Sequence, residues 1–316
     1  MLRSVKDHLR FPCPASLITR RREIDETGLA AVRSAIETHY HRGWRARESY
    51  TPEAYAADLR HHLTGRLWQD RRLIVPWLNS VRPLQGLRIL EIGCGTGSST
   101  VAMAEQGAEV VGVDIDTDAL EVARVRLEAH ALKAELVSEN ITAFDFAHGR
   151  FDAVIFFACL EHMTLSERLA GLASVWRQLP TGGLLVVVDT PNRLWFHDQH
   201  TSWLPFFHWL PDELAFQYSK RSPRELFRDS YREETEQKML HFRRQGRGVS
   251  FHEFDIAISP VETLSVASSL CAYRGWRRRL GMSRQERRYK AVLRSARPDL
   301  HQGWFDASLD IAIEKR

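Results

Sequence analysis

The stretch LRILEIGCGTGSST, Leu87 to Thr100, decides how the rest of the chain is read. Arg88–Ile92 is a short apolar run of strand character. Glycines follow at 93, 95 and 97, and Ser98–Gln106 has the character of a helix. Glycine lets a chain turn sharply and brings bare backbone close to a ligand, with no Cβ in the way. The free N–H groups at the start of the next helix favour a carboxylate or similar group there.

Working outward, the same alternation continues. Val110–Val113 reads as a second strand, Asp116–His130 as a helix and Ala134–Val137 as a third strand. Phe151–Ala158 is a fourth strand, Leu165–Leu179 a helix and Leu184–Val188 a fifth strand. Short apolar strands alternating with amphipathic helices specify a parallel sheet with helices on both faces. Upstream, Thr27–Tyr40 has helical spacing. Thr51-Pro52-Glu53 opens a further helix that passes Leu59 and Leu63 and runs towards Val81. Downstream, Phe251–Ile258 reads as a strand, Pro260–Tyr273 as a helix and Leu309–Ile313 as a last strand, returning antiparallel. The expected divisions are a helical extension over 1–85, a cofactor-binding core over 86–189, a substrate-side insertion or cap over 190–250, and a completion of the sheet with basic helices over 251–316.

Glu91 stands two residues before the first glycine. A pyrophosphate would not welcome a carboxylate there, whereas a ligand with an ammonium and a sulfonium would. The third small position of a dinucleotide fingerprint falls on Ser98, and the third glycine comes early, at Gly97. The pattern E-x-G-x-G-x-G therefore favours S-adenosylmethionine. Asp114, at the tip of the second strand and 17 residues beyond Gly97, is placed for two ribose hydroxyls. Asp116 is the better helix cap of the two.

At these residues the chain resembles the class I SAM-dependent methyltransferases, closely over about 85–190 and more loosely beyond. The resemblance implies a Rossmann-like, doubly wound and mostly parallel α/β sheet with an antiparallel last strand. It implies methyl transfer, with Glu91, Gly93, Gly95 and Gly97 as the first motif and Asp114 with Ile115 as the ribose and adenine-edge motif. The family's adenine-binding acid aligns with Asn140, beside Ile141, and a one-residue slip would put Glu139 there. The segment Cys159-Leu160-Glu161-His162-Met163 is similar to the L-E-H segment of small-molecule members.

The fifth strand leads into Asp189-Thr190-Pro191-Asn192-Arg193 and then LWFHDQHTSWLPFFHWLP. From Trp195 to Trp209 there are six Trp/Phe residues and three histidines. Methyl acceptors meet residues beyond the carboxyl ends of the strands. Aromatic walls there suit an apolar or sugar ring, and a histidine suits a general base. His200 and His162 are the candidate bases, with His197 next. Asn192, Arg193, Trp195 and Asp198 are candidate acceptor contacts. His197, Asp198 and His200 are close enough in sequence to raise a metal site, but the carboxylates that metal-assisted O-methyltransferases carry are missing, and none is expected. The bland alternative is a hydrophobic lid with satisfied histidines. The run D-T-P-N-R … H-x-x-H-T … L-P-F-F-H-W-L-P resembles bacterial members associated with surface-glycan or specialised-metabolite pathways. Arg224 to Arg244 reads as a solvated cap helix.

The 316 residues carry a net charge of +4, too weak by itself to imply nucleic acid. From Arg274 to Arg297, ten Lys/Arg stand against Glu286 alone, which reads as a solvated face or a peripheral contact with an anionic surface. Four scattered cysteines exclude a disulfide framework or zinc knuckle, and the first residues lack the apolar core of a signal peptide. A cytoplasmic enzyme acting on a small-molecule or glycan hydroxyl is the leading expectation. An RNA methyltransferase using 274–297 and a catalytically silent SAM-binding module are the alternatives.

Overall fold

The computed structural model describes residues 20–146, 149–275 and 281–316. The first 19 residues, with Cys13 and the leader reading, and residues 276–280 of the basic stretch lie outside them. The strands are β1 Arg88–Ile92, β2 Glu109–Asp114, β3 Glu135–Ser138, β4 Ala153–Phe157, β5 Leu184–Pro191, β6 Ser265–Ser269 and β7 Ser308–Glu314. They form one sheet in the order β3-β2-β1-β4-β5-β7-β6. β2 runs parallel to β1 and β3, and β7 runs antiparallel to β5 and β6. The doubly wound sheet with an antiparallel last strand is thus the architecture observed. Every residue of β4 is buried, as strands covered on both faces must be. By contact the chain divides into two compact units, Met1–Val154 and Ile155–Arg316.

In the first unit, α1 Glu26–Ala35 starts at Asp25, whose carboxylate accepts the Gly28 N–H at 2.8 Å. Thr51 caps α2 Pro52–Arg60. Wide turns at His61–Gly65 and Asp70–Ile74 link α2 to α3 Arg66–Gln69 and then to α4 Val75–Val81. The helix expected to run towards Val81 does so without leaving helical backbone. α5 Ser98–Ala104 follows β1, and α6 Thr117–Ala129 follows β2. Val32, Ala35 and Ile36 of the first helical segment, with Leu59 and Leu63 of the second, close over Val122 of α6. The helical extension therefore caps the helix that follows the second strand.

In the second unit, α7 Leu165–Gln178 begins with a reciprocal cap. The Glu167 N–H donates to Thr164 Oγ1 and the Thr164 N–H donates to Glu167. The region from Arg224 to Arg244, expected as one solvated cap helix, is instead two short helices, α9 Glu225–Ser230 and α10 Glu236–Arg243, preceded by α8 Asp212–Ser219. They enclose a small core of Leu204, Phe207, Ala215, Phe216, Tyr231 and Phe242. Each fully buried aromatic there contributes about 2–3 kcal/mol, enough to organise a charge-rich segment.

Two further expectations are corrected. Phe251–Ile258 is not a strand: α11 spans Phe251–Ala257, with Phe251 and Phe254 buried three residues apart on one helical face. Pro260–Tyr273 is not one helix. Ser265–Ser269 pairs with β7 as β6, and only then does α12 Leu270–Arg274 begin, capped by Ser269. α13 Arg284–Ala296 starts with a second reciprocal cap, Ser283 with Glu286.

Candidate active site

In the first unit the glycine loop sits at the carboxyl end of β1. Gly97 adopts φ +76°, and a Cβ on it would come within 2.8 Å of Ala123 Cβ, so glycine is required for α5 to approach α6. Gly95 has φ +49° and open space where a Cβ would stand, which leaves bare backbone facing outward. The buried Ser98 hydroxyl has no hydrogen-bond partner among the described residues. A loop with an open glycine and an unanswered hydroxyl is shaped for a polar ligand.

Asp114 stands at the tip of β2. Its Oδ2 accepts the Gly95 N–H at 2.8 Å and its Oδ1 accepts the Asp116 N–H at 2.9 Å. Each oxygen keeps a lone pair for a ribose hydroxyl. Burial raises the Asp114 pKa, while the two backbone bonds pull it back. Asp116 caps α6 by accepting the Ala119 N–H, as its position predicts, and pairs with Arg45 at 2.7 Å. Ile115 is 67% exposed, an apolar surface beside the carboxylate.

The Glu91 carboxylate is engaged within the protein. It is fully buried, accepting from the Ser99 hydroxyl and from Thr100 Oγ1 at 2.6 Å, so it ties β1 to α5. Burial pushes its pKa up to about 7 against those two bonds. Asn140 lies in the turn after β3, where its Oδ1 accepts from the Thr142 N–H at 3.0 Å and hydroxyl at 2.9 Å; only its NH₂ remains for adenine. Ile141 beside it is buried and Glu139 is exposed. Arg126 was not foreseen as part of the site. Fully buried on α6, it donates to the carbonyls of Thr96, Leu63 and His62 at 2.8, 2.9 and 2.6 Å. It thereby fixes the glycine loop to the N-terminal helices. Burial lowers its pKa to about 10.

The second unit holds a separate cluster. Glu161, completely buried, accepts the Thr190 hydroxyl on Oε2 at 3.1 Å, while Oε1 has no hydrogen-bond partner among the described residues. Oε1 faces two imidazoles, with His162 Nε2 and His200 Nε2 each 3.9 Å away. Burial pushes the Glu161 pKa up to about 7, and His200 opposes that rise. Thr190 reaches Glu161 because β5 carries an irregularity between Val187 and Thr190, with Asp189 at φ +55° and its N–H donating to Asp310 at 2.7 Å.

The hydrogen bonds fix the tautomers of both histidines. The Thr201 hydroxyl donates to the Gly246 carbonyl at 2.9 Å, so toward His200 Nδ1, 3.2 Å away, it can only accept. Nδ1 of His200 therefore carries the proton, and Nε2 presents a lone pair. His162 Nδ1 lies 2.9 Å from the Arg244 carbonyl and must likewise donate, which leaves its Nε2 basic.

The other expected acceptor residues fare differently. Asn192 is buried, donating to the Trp304 and Asp306 carbonyls at 2.8 Å each and accepting the Leu194 N–H at 2.9 Å, so its side chain shapes the fold. Asp198 is a buried hub that accepts the N–H groups of His200, Thr201 and Ser202, with His208 Nε2 3.3 Å away. Burial would raise its pKa, but His208 and those bonds prevail and hold it well below the usual carboxylate range. Trp195 is buried against Tyr289. His197 lies beside Phe196 rather than with Glu161. Arg193 is exposed. Among the described residues no group of three or more His, Cys, Asp and Glu is placed to hold a metal ion. Glu161 was passed over in the sequence, although a lone acid ending an apolar strand and preceding a histidine is a usable signal.

Residues 89–183 match the family described as "Methyltransferase domain". A ubiquinone biosynthesis O-methyltransferase of Cereibacter sphaeroides is 40% identical over 118 residues, 37% of this chain and 46% of that protein. One from Alkalilimnicola ehrlichii is 43% identical over 113 residues, 35% and 44% of the two chains. The chain thus spans about half the length of the curated relatives it matches. Among solved structures, magnesium protoporphyrin IX methyltransferase of Synechocystis PCC 6803 is 22% identical with a TM-score of 0.39, covering 53% of this chain and 74% of that one. An amino pentose methyltransferase of Micromonospora echinaspora is 26% identical with a TM-score of 0.35, covering 44% and 56%. Structural similarity this distant adds nothing to the family match. Over residues 89–183, then, the chain carries a match to the methyltransferase-domain family.

Proposed function

We propose that the protein is an O-methyltransferase that methylates a hydroxyl of a small-molecule acceptor, with His200 as the general base and Glu161 as its partner. Gly95, Ser98 and Asp114 would hold S-adenosylmethionine, since the open glycine, the unanswered hydroxyl and the free carboxylate lone pairs fit its polar groups. When bound, it supplies an electrophilic methyl: a carbon–sulfur bond is exchanged for a carbon–oxygen bond, S-adenosylhomocysteine is left, and the hydroxyl proton passes to a base.

The observation that carries the reading is the unpartnered Oε1 of buried Glu161, set between two basic imidazole nitrogens. A buried carboxylate oxygen without a donor is costly, and an acceptor hydroxyl or an imidazolium answers it. His200 takes the proton at Nε2, and ionised Glu161 stabilises the imidazolium so formed. Thr201 and Asp198 hold the ring in place through the backbone and Nδ1. His162 is the second nitrogen within reach. The relatives' name supports oxygen as the methylated atom. A glycan hydroxyl remains within the same chemistry. A cytoplasmic setting is part of the same proposal, and no described helix is long and apolar enough to cross a membrane.

The test is transfer of a labelled methyl group to a panel of phenols, sugars and hydroxy acids. The rate should rise with pH through about 7, where Glu161 ionises. His200→Ala should lower kcat by on the order of 10²–10⁴, and Glu161→Gln should remove the rise near pH 7, both with S-adenosylmethionine affinity kept. Full turnover in both variants would end the base assignment. Cofactor binding with no transfer to any hydroxyl would end the O-methyl reading.

A further inference from the structure

In the second unit, the loop over 195–209, which carries His200, also presents bulky apolar side chains to solvent. Trp203, Phe206, Trp209 and, on α8, Leu214 are 45–58% exposed. Trp203 and Phe206 both have φ +57°, a backbone region that bulky residues rarely occupy. The loop is held in that form. Asp198 accepts three consecutive N–H groups, and Arg224 donates to the His200 and Thr201 carbonyls while its guanidinium lies over the Trp203 ring. The protein is built to hold these side chains outward.

α13 adjoins the loop. Trp209 stacks on Tyr289, with ring centroids 6.5 Å apart, Phe206 lies 4.9 Å from Trp209, and the Tyr289 hydroxyl donates to the Leu194 carbonyl at 2.7 Å. The solvent side of α13 carries Arg284, Arg288 and Arg294, which have no carboxylate partner among the described residues, and Val292, 62% exposed. The acids nearby are already answered. Glu286 accepts from the Ser283 N–H and from Gln199, and Asp212 and Glu213 are paired with Arg243 and Arg247.

We propose that the 203–214 apolar tip and the arginine face of α13 together dock the protein on the surface of an anionic lipid bilayer. Aromatic rings settle at the headgroup level, cations are drawn to anionic lipids, and stable peripheral binding takes both signals together. Single-stranded nucleic acid would use the arginines and the rings, but Leu214 and Val292 offer it nothing to stack on, whereas hydrocarbon accepts them. The proposal is independent of the methyl-transfer reading.

The experiment is co-sedimentation of the 316-residue chain with vesicles of phosphatidylcholine, alone or with about one third phosphatidylglycerol. Binding is expected on the anionic vesicles only and should weaken with salt. Arg284→Gln and Arg288→Gln should each lower affinity about fivefold. The pair Trp203→Ser and Phe206→Ser should lower it at least tenfold. The circular dichroism spectrum and the urea midpoint should be unchanged in all of them, which reports an intact fold. Should the tryptophan variant misfold, the exposed arginines decide alone. Three results overturn the proposal: no binding to either vesicle, binding unaffected by the arginine changes, or retention on single-stranded RNA without binding to vesicles.

Discussion

Glu91→Gln separates the two roles open to this residue, contact with a ligand and internal tie. Its folded-state pKa is about 7 against an ordinary 4.5, because burial disfavours the charge more than Ser99 and Thr100 favour it. A carboxyl raised on folding binds its proton more tightly in the native state. Stability therefore falls as pH rises from about 4.5 to about 7 and stays low above that. The full difference is about 3 kcal/mol, and about 2.5 kcal/mol of it lies between pH 5 and pH 8. Glutamine mimics the neutral acid and can bond both hydroxyls, which rotate to suit. In urea titrations of the ligand-free protein, the variant should gain about 2.5 kcal/mol on the wild type between pH 5 and pH 8. The difference cancels every other titrating group, Glu161 included. Parallel stability curves would refute the reasoning, since they would mean that Glu91 is ionised in the native protein.

Asp114→Ala should weaken S-adenosylmethionine binding at least tenfold by calorimetry, since it removes both carboxylate oxygens and frees the Gly95 and Asp116 N–H groups they hold; an unchanged Kd would remove the ribose role. Gly97→Ala should lower unfolding free energy by about 1–3 kcal/mol, because an L-residue is strained at φ +76° and its methyl would press on Ala123. A neutral result in urea would show that α5 and α6 can separate without penalty.

The fold was legible wherever local pattern and burial agreed. β1 and β2 are short, mostly apolar runs, and the glycine loop and Asp114 follow directly from strand ends, so spacing along the chain places them. The failures came where one pattern serves two structures. Phe251 and Phe254 are three apart, a helical spacing, yet the short apolar run resembled a strand. Ser265–Ser269 is poor in large apolar residues, and only pairing with β7 makes it a strand. The charge of residues 224–244 suggested a solvated helix, because part of the aromatic set that anchors it lies upstream of the stretch: Phe207 and Phe216 meet Tyr231 and Phe242 only in the folded chain.

The acceptor side was legible in residue type and not in role, and the reason is physical. Of the polar residues after β5, Asn192 and Asp198 are satisfied inside the protein, as buried polar groups must be. What they shape is the backbone that carries His200. The proposed Glu161–His200 pair needs Glu161 from the turn after β4, Thr190 placed by the irregularity at Asp189, and a histidine tautomer set by Thr201 and Gly246. None of these dependencies is a spacing along the chain. A histidine-rich loop therefore announces that proton chemistry is available, and the buried hydrogen bonds decide which nitrogen performs it. By that logic, removing the Thr201 hydroxyl would release the His200 tautomer before it disturbed any apolar contact.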